Sequence, residues 1–188
     1  MDEQLPDVDV ILLHRDLRRA PSFALPEGYA MRPYRAGDLH TWLRIQATDP
    51  FFAPTAETFA EALPGDEAYR AERVMFLVGP EGAEIGNITA WNTAEFTGQD
   101  IGQVCWVALV PAARGRGLGK PLLSAACAAL RGRGYTQAFV DTNMRRVPAL
   151  NLYLGFGFEP LLRDEEEQAA WRAIAPRLKS AHGRHEGP

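Results

Sequence analysis

A glycine-rich run near the middle of the chain has the residue types that bind phosphate. It reads Arg114-Gly115-Arg116-Gly117-Leu118-Gly119-Lys120 and follows an apolar segment. Glycine lacks a Cβ atom, so the backbone can turn tightly and bring its N–H groups against an anion. A helix that begins at the end of the run adds unpaired N–H groups and a favourable dipole. The sequence therefore predicts a site for a phosphate-bearing ligand at this loop.

Two common kinds of nucleotide-binding loop do not fit this run. A P-loop needs Gly, four residues and Gly-Lys followed by Ser or Thr, but here the spacing is one residue short and Pro121 replaces the hydroxyl residue. A dinucleotide fingerprint has the spacing Gly-x-Gly-x-x-Gly early in a βαβ unit, whereas this run is Gly-x-Gly-x-Gly and comes late. On the glycines alone, a turn that binds no ligand stays open as an alternative.

The charge distribution also favours a local anion site. The net charge of the 188 residues is -4, yet residues 111–150 hold seven basic residues and one acid. That segment therefore has a net charge of +6 and the remainder -10. Solvated helix ends would explain such a segment, and so would a local site for a polyanionic small molecule inside an acidic protein. The net charge of -4 argues against a general nucleic-acid binder.

Composition places the chain among ordinary folded proteins, with 46% hydrophobic and 23% charged residues. No apolar run approaches the roughly 20 residues that span a bilayer, and the first residues lack a secretory-signal pattern. We therefore expect a cytoplasmic protein without a membrane partner. Cys105 and Cys127 lie in apolar segments without metal-ligand spacing, so two buried reduced thiols and no bound metal are expected.

Hydrophobic periodicity and turn residues predict the elements that must position the loop. The chain divides into an N-terminal arm (1–28), a central domain (29–162) and a C-terminal helical tail (163–188). Within the central domain the order is strand, two helices, three strands, helix, strand, helix, strand, and Asp38 is expected to cap the first helix. This order predicts an α/β fold with a sheet of mixed direction. The predicted strands are 29–34, 74–78, 84–92, 101–110, 137–141 and 156–162.

Two motifs in this domain resemble those of a known family. The stretch from Val107 to Gly119, an apolar strand, a proline and then Arg-Gly-Arg-Gly-Leu-Gly, resembles the central motif of the GCN5-related N-acetyltransferase (GNAT) superfamily. Downstream, Ala-Leu-Asn-Leu-Tyr-Leu-Gly-Phe-Gly-Phe at 149–158 resembles the family's Ala-x-x-Leu-Tyr-x-x-x-Gly-Phe signature. The motifs stand in the family's order and at its distance, and the resemblance covers about residues 29–162.

The resemblance implies a fold and an activity. The fold is a mixed, mostly antiparallel sheet of about six or seven strands with a splayed central strand, flanked by helices. The activity is direct transfer of an acetyl group from acetyl-CoA to the amine of an unknown small molecule or peptide, without a metal. The alternative is a non-catalytic module that binds or senses acyl-CoA. A monomer and a homodimer are both open.

The resemblance also implies binding and catalytic residues. In the family, free backbone groups of the splayed strand pair with the pantetheine arm of CoA, and the glycine loop takes the pyrophosphate. Tyr153 matches the general acid near the sulfur, because a phenol with a pKa near 10 stays protonated at neutral pH. A core aromatic is the competing interpretation of Tyr153. The implied CoA-binding set is Val107, Ala108, Leu109, Arg114, Gly115, Arg116, Gly117, Leu118, Gly119, Lys120 and Arg146.

One position departs from the family pattern, and two roles stay open. Many relatives carry Asn seven residues before the tyrosine, where this chain has Arg146, so Arg146 either meets a CoA phosphate or is an exposed helix start. Asp141, at the end of the preceding strand, is the candidate general base, and Glu84, Glu95, Asp100 and a water relay are alternatives. The acceptor pocket implied by the family would include Trp42, Phe51, Phe52, Trp91 and Asn92.

Overall fold

The apolar runs of the sequence become the strands of one sheet. The computed structural model describes residues 5–94 and 98–179. Within them the strands are β1 (Asp9–His14), β2 (Ala30–Pro33), β3 (Val74–Val78), β4 (Glu84–Thr93), β5 (Ile101–Leu109), β6 (Ala138–Asn143) and β7 (Glu159–Leu161). The helices are α1 (Leu39–Gln46), α2 (Ala56–Ala62), α3 (Glu67–Ala71), α4 (Gly119–Gly132), α5 (Val147–Leu154) and α6 (Glu165–Ile174). No helix in this part of the chain has the length and apolar character needed to cross a membrane.

The seven strands lie in the order β2-β3-β4-β5-β6-β1-β7. Neighbouring strands are antiparallel except β5 and β6, which are parallel. A parallel neighbour needs a crossover connection, and α4 supplies it between these two strands. The prediction of a mixed, mostly antiparallel sheet flanked by helices is confirmed.

Each face of the sheet carries its own core. On one face, α4 buries Leu122, Ala126 and Leu130 at helical spacing against strand residues such as Ile88 and Val104. On the other face, Trp42, Ile45, Phe59, Phe76 and Trp91 form a second, aromatic-rich cluster under α1 and α2. Side chains alternate between the faces along each strand, so β4 contributes to both cores.

The N-terminal segment differs from the expected arm. Residues 9–14 form β1, which lies inside the sheet between β6 and β7, and Val10 and Leu12 are buried. The apolar run was visible in the sequence, but its strand partners lie more than a hundred residues away. At the other end, Ala170 and Ile174 of α6 belong to the first core, so the described part of the tail packs on the domain.

Three smaller features also differ. Helix α3 was not predicted. Strand β7 begins at Glu159 rather than at 156, because Gly157 adopts a left-handed φ of 88° in the turn before the strand. Asp38 occupies the N-cap position of α1, but its carboxylate does not cap the helix. Instead it accepts hydrogen bonds from the Arg35 backbone N–H at 2.7 Å and from the Arg32 guanidinium at 2.6 and 2.9 Å.

Candidate active site

The parallel strands β5 and β6 separate shortly after they pair. Their pairing is confined to Gly102 with Ala138 and Gln103 with Phe139. Beyond these positions residues 104–109 of β5 and 140–143 of β6 have no pairing with each other and border a gap in the sheet. This is the splayed central strand that the resemblance implied.

A cavity of about 700 Å³ opens at the gap. Residues of β5, β6 and α5 line it, and Tyr153, Asp141 and Val107 are among them. The cavity therefore brings together the predicted acid, the predicted base and one of the predicted backbone contacts, which are far apart in the sequence. Within residues 5–94 and 98–179, no three His, Cys, Asp or Glu side chains gather as a metal site would require.

Tyr153 is 5% exposed, and its hydroxyl has no hydrogen-bond partner among the described residues. Burial raises the pKa of this phenol well above its usual value near 10, and the negative charge of Asp141 raises it further. The positive charge of Arg146 lowers the pKa of Tyr153, but by less than these two causes raise it. The phenol is thus protonated at neutral pH and can donate a proton into the cavity. Its ring also packs on Phe158 at 6.0 Å, so the side chain contributes to the core as well.

Asp141 stands at the cavity wall, opposite β5. Its carboxylate accepts a hydrogen bond from Gln103 Nε2 at 3.0 Å. Burial, followed by the charge of Asp141, raises the pKa of the Cys105 thiol well above its ordinary value, so Cys105 stays protonated. Both neighbours also line the cavity, so the carboxylate lies beside β5 at the cavity wall.

The alternative bases are placed elsewhere. Glu84 binds the Arg32 guanidinium at 2.7 Å, and this contact lowers the pKa of its carboxyl. Asp100 accepts hydrogen bonds from Asn92 Nδ2 and the Tyr135 hydroxyl, both at 2.9 Å. Neither is among the cavity residues of the described chain. Glu95 lies outside the described residues.

The glycine loop presents a row of free backbone donors. Gly115 and Gly117 have left-handed φ values of 73° and 77°, and α4 begins at Gly119. The N–H groups at 115–119 have no acceptor in the described chain, whereas those of Arg114 and Lys120 bond to the carbonyls of Pro111 and Gly117. Unpaired N–H groups at a helix N-terminus are a common kind of anion-binding site.

The basic side chains around the loop divide into two groups. Arg114 is a structural latch: its Nε donates to the Leu109 carbonyl at 2.9 Å, and its Nη2 donates to the carbonyl and hydroxyl of Thr48 at 2.9 and 3.0 Å. Arg116 and Lys120 are exposed, and Lys120 Nζ lies 5.0 Å from the centre of the Phe23 ring.

Arg146 is at the N-terminus of α5, where it lines the cavity and pairs with Asp49 at 2.9 Å. It is therefore not simply an exposed helix start. The ion pair connects α5 to the loop that follows α1, so Arg146 contributes to the shape of the cavity wall.

Strand alternation decides which backbone groups of β5 face the gap. Val110 N–H bonds to the Ile85 carbonyl, so Ala108, two residues earlier, also directs its peptide groups to β4, where it pairs with Asn87. The intervening Val107 and Leu109 face the gap, although the Leu109 carbonyl is occupied by Arg114. Of the three predicted backbone contacts, Val107 and Leu109 are oriented toward the gap and Ala108 is not.

Comparison with known proteins identifies the family. The model of the "Acetyltransferase (GNAT) family" matches residues 37–158, well over half of the chain. The chain belongs to the GNAT acetyltransferase family. Its fold is also that of the solved GCN5-related N-acetyltransferase from Sphaerobacter thermophilus, with a TM-score of 0.67 and 21% identity over 83% of this chain and 49% of that one.

The GNAT chain also resembles proteins named mycothiol acetyltransferase. That of Nocardioides sp. is 29% identical over 164 residues, covering 73% of this chain and 52% of the relative. That of Thermobispora bispora is 32% identical over 146 residues, covering 73% and 49%. The chain thus spans about half the length of these curated relatives.

The expected acceptor aromatics of this GNAT domain are only partly in the cavity. Phe52 and Trp91 line it, whereas Trp42 is fully buried behind it. Phe51 packs against Arg145, whose guanidinium lies 4.4 Å from the ring centre, and Asn92 bonds to Asp100. Sequence reasoning missed several other lining residues, because each depends on contacts between distant segments: Asp9, Gln46, Asp49, Glu61, Gln103, Cys105 and Trp106.

Proposed function

We propose that this chain is an N-acetyltransferase that moves an acetyl group from acetyl-CoA directly to an amine. The observation that carries the proposal is the arrangement along β5. Val107 lines the cavity with Tyr153, and the same strand continues into the loop with its free N–H groups. A ligand with a pyrophosphate at one end and a reactive thioester at the other matches these two sites joined by a strand edge.

The residues of the chain fit acetyl-CoA in three places. The N–H groups of the glycine loop would hold the pyrophosphate, with Arg116 and Lys120 beside them. The gap-facing peptide groups of Val107 and Leu109 would pair with the pantetheine amides as a neighbouring strand would. Arg114 would act indirectly, by fixing the loop on β5 and α1.

The chemistry supplied by acetyl-CoA is an activated acetyl group. The amine nitrogen attacks the thioester carbonyl carbon, and the carbon–sulfur bond breaks. Tyr153 would donate its phenolic proton to the departing thiolate, since its raised pKa keeps it protonated beforehand. Asp141 would accept the proton lost by the amine, directly or through water, and the phenol is then reprotonated from solvent.

The charges of the cavity support a cationic amine as the acceptor. Arg146 is the one basic residue in the described wall, and it is already paired with Asp49. The wall carries four carboxylates: Asp9, Asp49, Glu61 and Asp141. A small molecule or a peptide N-terminus with additional positive charge would be attracted to such a cavity.

Replacing Tyr153 with Phe tests the proposal. Purified protein is given acetyl-CoA and a panel of amines and peptides, and thiol release is followed. With the best acceptor, Tyr153→Phe should lower kcat by about 10²- to 10⁴-fold, the usual contribution of a general acid, and leave the Kd for CoA unchanged. The matched control is Tyr135→Phe, because that hydroxyl bonds to Asp100 outside the cavity.

The outcomes separate the alternatives. Full activity of Tyr153→Phe would remove the phenol from the mechanism. Tight CoA binding without transfer to any member of the panel would favour a non-catalytic acyl-CoA-binding module. Absence of CoA binding by the unaltered protein would overturn the proposed function as a whole.

A further inference from the structure

The strand that borders the gap contains an irregularity next to Val107. The register between β4 and β5 shifts between Asn87 and Thr89, so Trp106 and Val107 on β5 together oppose a single residue, Ile88, on β4. This is a β-bulge. Trp106 has a φ of 51°, the only positive φ of a non-glycine residue in the described chain. A bulky residue in the left-handed region costs roughly 1–3 kcal/mol.

Two buried amide side chains hold this strained peptide. Asn87 Nδ2 donates to the Trp106 carbonyl at 2.8 Å, and Gln46 Nε2 donates to the same oxygen at 2.9 Å. Gln46 Nε2 also lies 3.2 Å from Asn87 Oδ1, so the two amides bond to each other. Asn87 is fully buried and Gln46 is 5% exposed. We call these two side chains the amide clamp.

The amide clamp determines where the next N–H group points. The peptide bond between Trp106 and Val107 is trans, as are all those of the described residues, so the N–H of Val107 points opposite to the carbonyl of Trp106. The clamp holds that carbonyl on the side of β4 and α1. The Val107 N–H therefore points away from Asn87 and β4, and Val107 is among the residues that line the cavity.

We propose that Gln46 and Asn87 are positioning residues for acetyl transfer, because they fix the Trp106 bulge and aim the Val107 N–H at the thioester carbonyl oxygen. The inference rests on the proposed function. When the amine attacks, negative charge develops on that oxygen, and an N–H already oriented toward it stabilises the charge without reorganisation. The Trp106 ring packs on Trp42 and Phe52, with ring centres 4.9 Å and 5.9 Å from its own. These side-chain contacts also stabilise the bulge.

A purely structural role for the clamp makes a different prediction. If the two amides only provided hydrogen bonds to a buried carbonyl, their loss would lower the stability of the protein. It would also weaken the binding of all ligands by the same factor. A positioning role affects the carbonyl oxygen of acetyl-CoA specifically. S-ethyl-CoA, a thioether analogue without that oxygen, therefore serves as the comparison ligand.

The test uses Gln46→Met, Asn87→Ala and the double variant of the full chain. We expect each single variant to lower kcat about 10-fold and the double variant on the order of 100-fold, with the Kd for S-ethyl-CoA unchanged. The unaltered protein should bind acetyl-CoA several-fold more tightly than S-ethyl-CoA, and this preference should vanish in the double variant.

Thr89→Val is the matched control. Thr89 lies on the same strand as Asn87, two residues away, and its fully buried hydroxyl has no hydrogen-bond partner in the described chain. This variant also replaces a buried polar group near the bulge, and it should keep the kcat and the acetyl-CoA preference of the unaltered protein.

The outcomes distinguish this inference from the proposed function. If the unaltered protein transfers acetyl groups and the clamp variants keep both kcat and the acetyl-CoA preference, the clamp inference alone is overturned. A parallel loss of affinity for both ligands would also overturn it, in favour of a structural role. If the unaltered protein binds neither ligand, the proposed function fails, and the clamp inference fails with it.

Discussion

Changing Gly117 to alanine tests whether the free N–H groups of the loop bind the CoA pyrophosphate. Gly117 has a φ of 77°, and a Cβ added there would meet nothing within 4 Å. The substitution therefore causes no collision, and its cost is the left-handed conformation alone, about 1–2 kcal/mol. To escape that cost the backbone must rotate, and rotation changes the directions of the neighbouring N–H groups.

The expected effect on binding follows from the number of donors that are lost. A hydrogen bond to a charged group contributes about 1.5–3 kcal/mol, so misaligning one or two of the five N–H groups should raise the Kd for CoA by roughly 10- to 100-fold or more. The melting temperature should fall by about 2–8 °C, since 1 kcal/mol corresponds to roughly 2–4 °C in a protein of this size. Calorimetry measures the Kd, and a thermal melt measures the stability.

Gly82 provides the matched control for this experiment. Its φ is 79°, a Cβ added there also meets nothing within 4 Å, and it lies in the turn between β3 and β4. Gly82→Ala should lower the melting temperature by a similar amount and leave the Kd for CoA unchanged. Equal Kd values for Gly117→Ala and the unaltered protein would refute the assignment of the pyrophosphate to this loop.

Three further predictions concern the latch, the buried histidine and the buried glutamate. Arg114→Lys keeps the charge, but a lysine cannot bond to both β5 and Thr48. The Kd for CoA, measured by calorimetry, should therefore rise several-fold. An unchanged Kd would mean that only the charge of this residue matters. Burial lowers the pKa of His14 below 6.5, although the contact of its ring with the Phe156 carbonyl acts in the opposite direction. The contribution of neutral His14 to the unfolding free energy is therefore fully present above pH 6.5 and is lost as the pH drops below that value. Urea unfolding between pH 7 and 5 should show a smaller loss of unfolding free energy for His14→Asn than for the unaltered protein. The same dependence of unfolding free energy on pH in both proteins would contradict this account. Glu167→Gln removes the ion pair between Arg163 and a carboxylate that is 3% exposed. The unfolding free energy measured in urea should fall by about 1–2 kcal/mol, and an unchanged urea midpoint would contradict this prediction.

The sequence predicts best the elements whose signals are local. The β3 strand has the predicted bounds, 74–78, because a short apolar run ends at the clear turn residues Gly79 and Pro80. The helix expected at the end of the glycine run is α4, and glycines at both of its ends delimit it. The two family motifs also led to the site, because each is contiguous in the chain and carries glycines whose conformation local sequence determines.

Features built by distant contacts were not predictable. Trp106 has a side chain that disfavours its left-handed backbone, and its carbonyl is held by Gln46, 60 residues earlier in the chain. Arg114 looked like a phosphate ligand, yet its guanidinium binds Thr48, 66 residues away. In both cases the local sequence gives the residue type, and only the packed sheet decides which partner it meets.

The positive segment at 111–150 shows how a charge count differs from a binding site. Four of its arginines, besides the Arg114 latch, are committed to carbonyl or carboxylate oxygens of the protein: Arg131, Arg133, Arg145 and Arg146. Of the seven basic side chains, only those of Arg116 and Lys120 have neither a hydrogen bond nor an ion pair in the described chain, and both adjoin the glycine loop. Most of the excess charge therefore joins segments of the protein to one another. Under the proposed function, the pyrophosphate would be bound mainly by backbone N–H groups of a loop that Arg114 and the left-handed glycines stabilise.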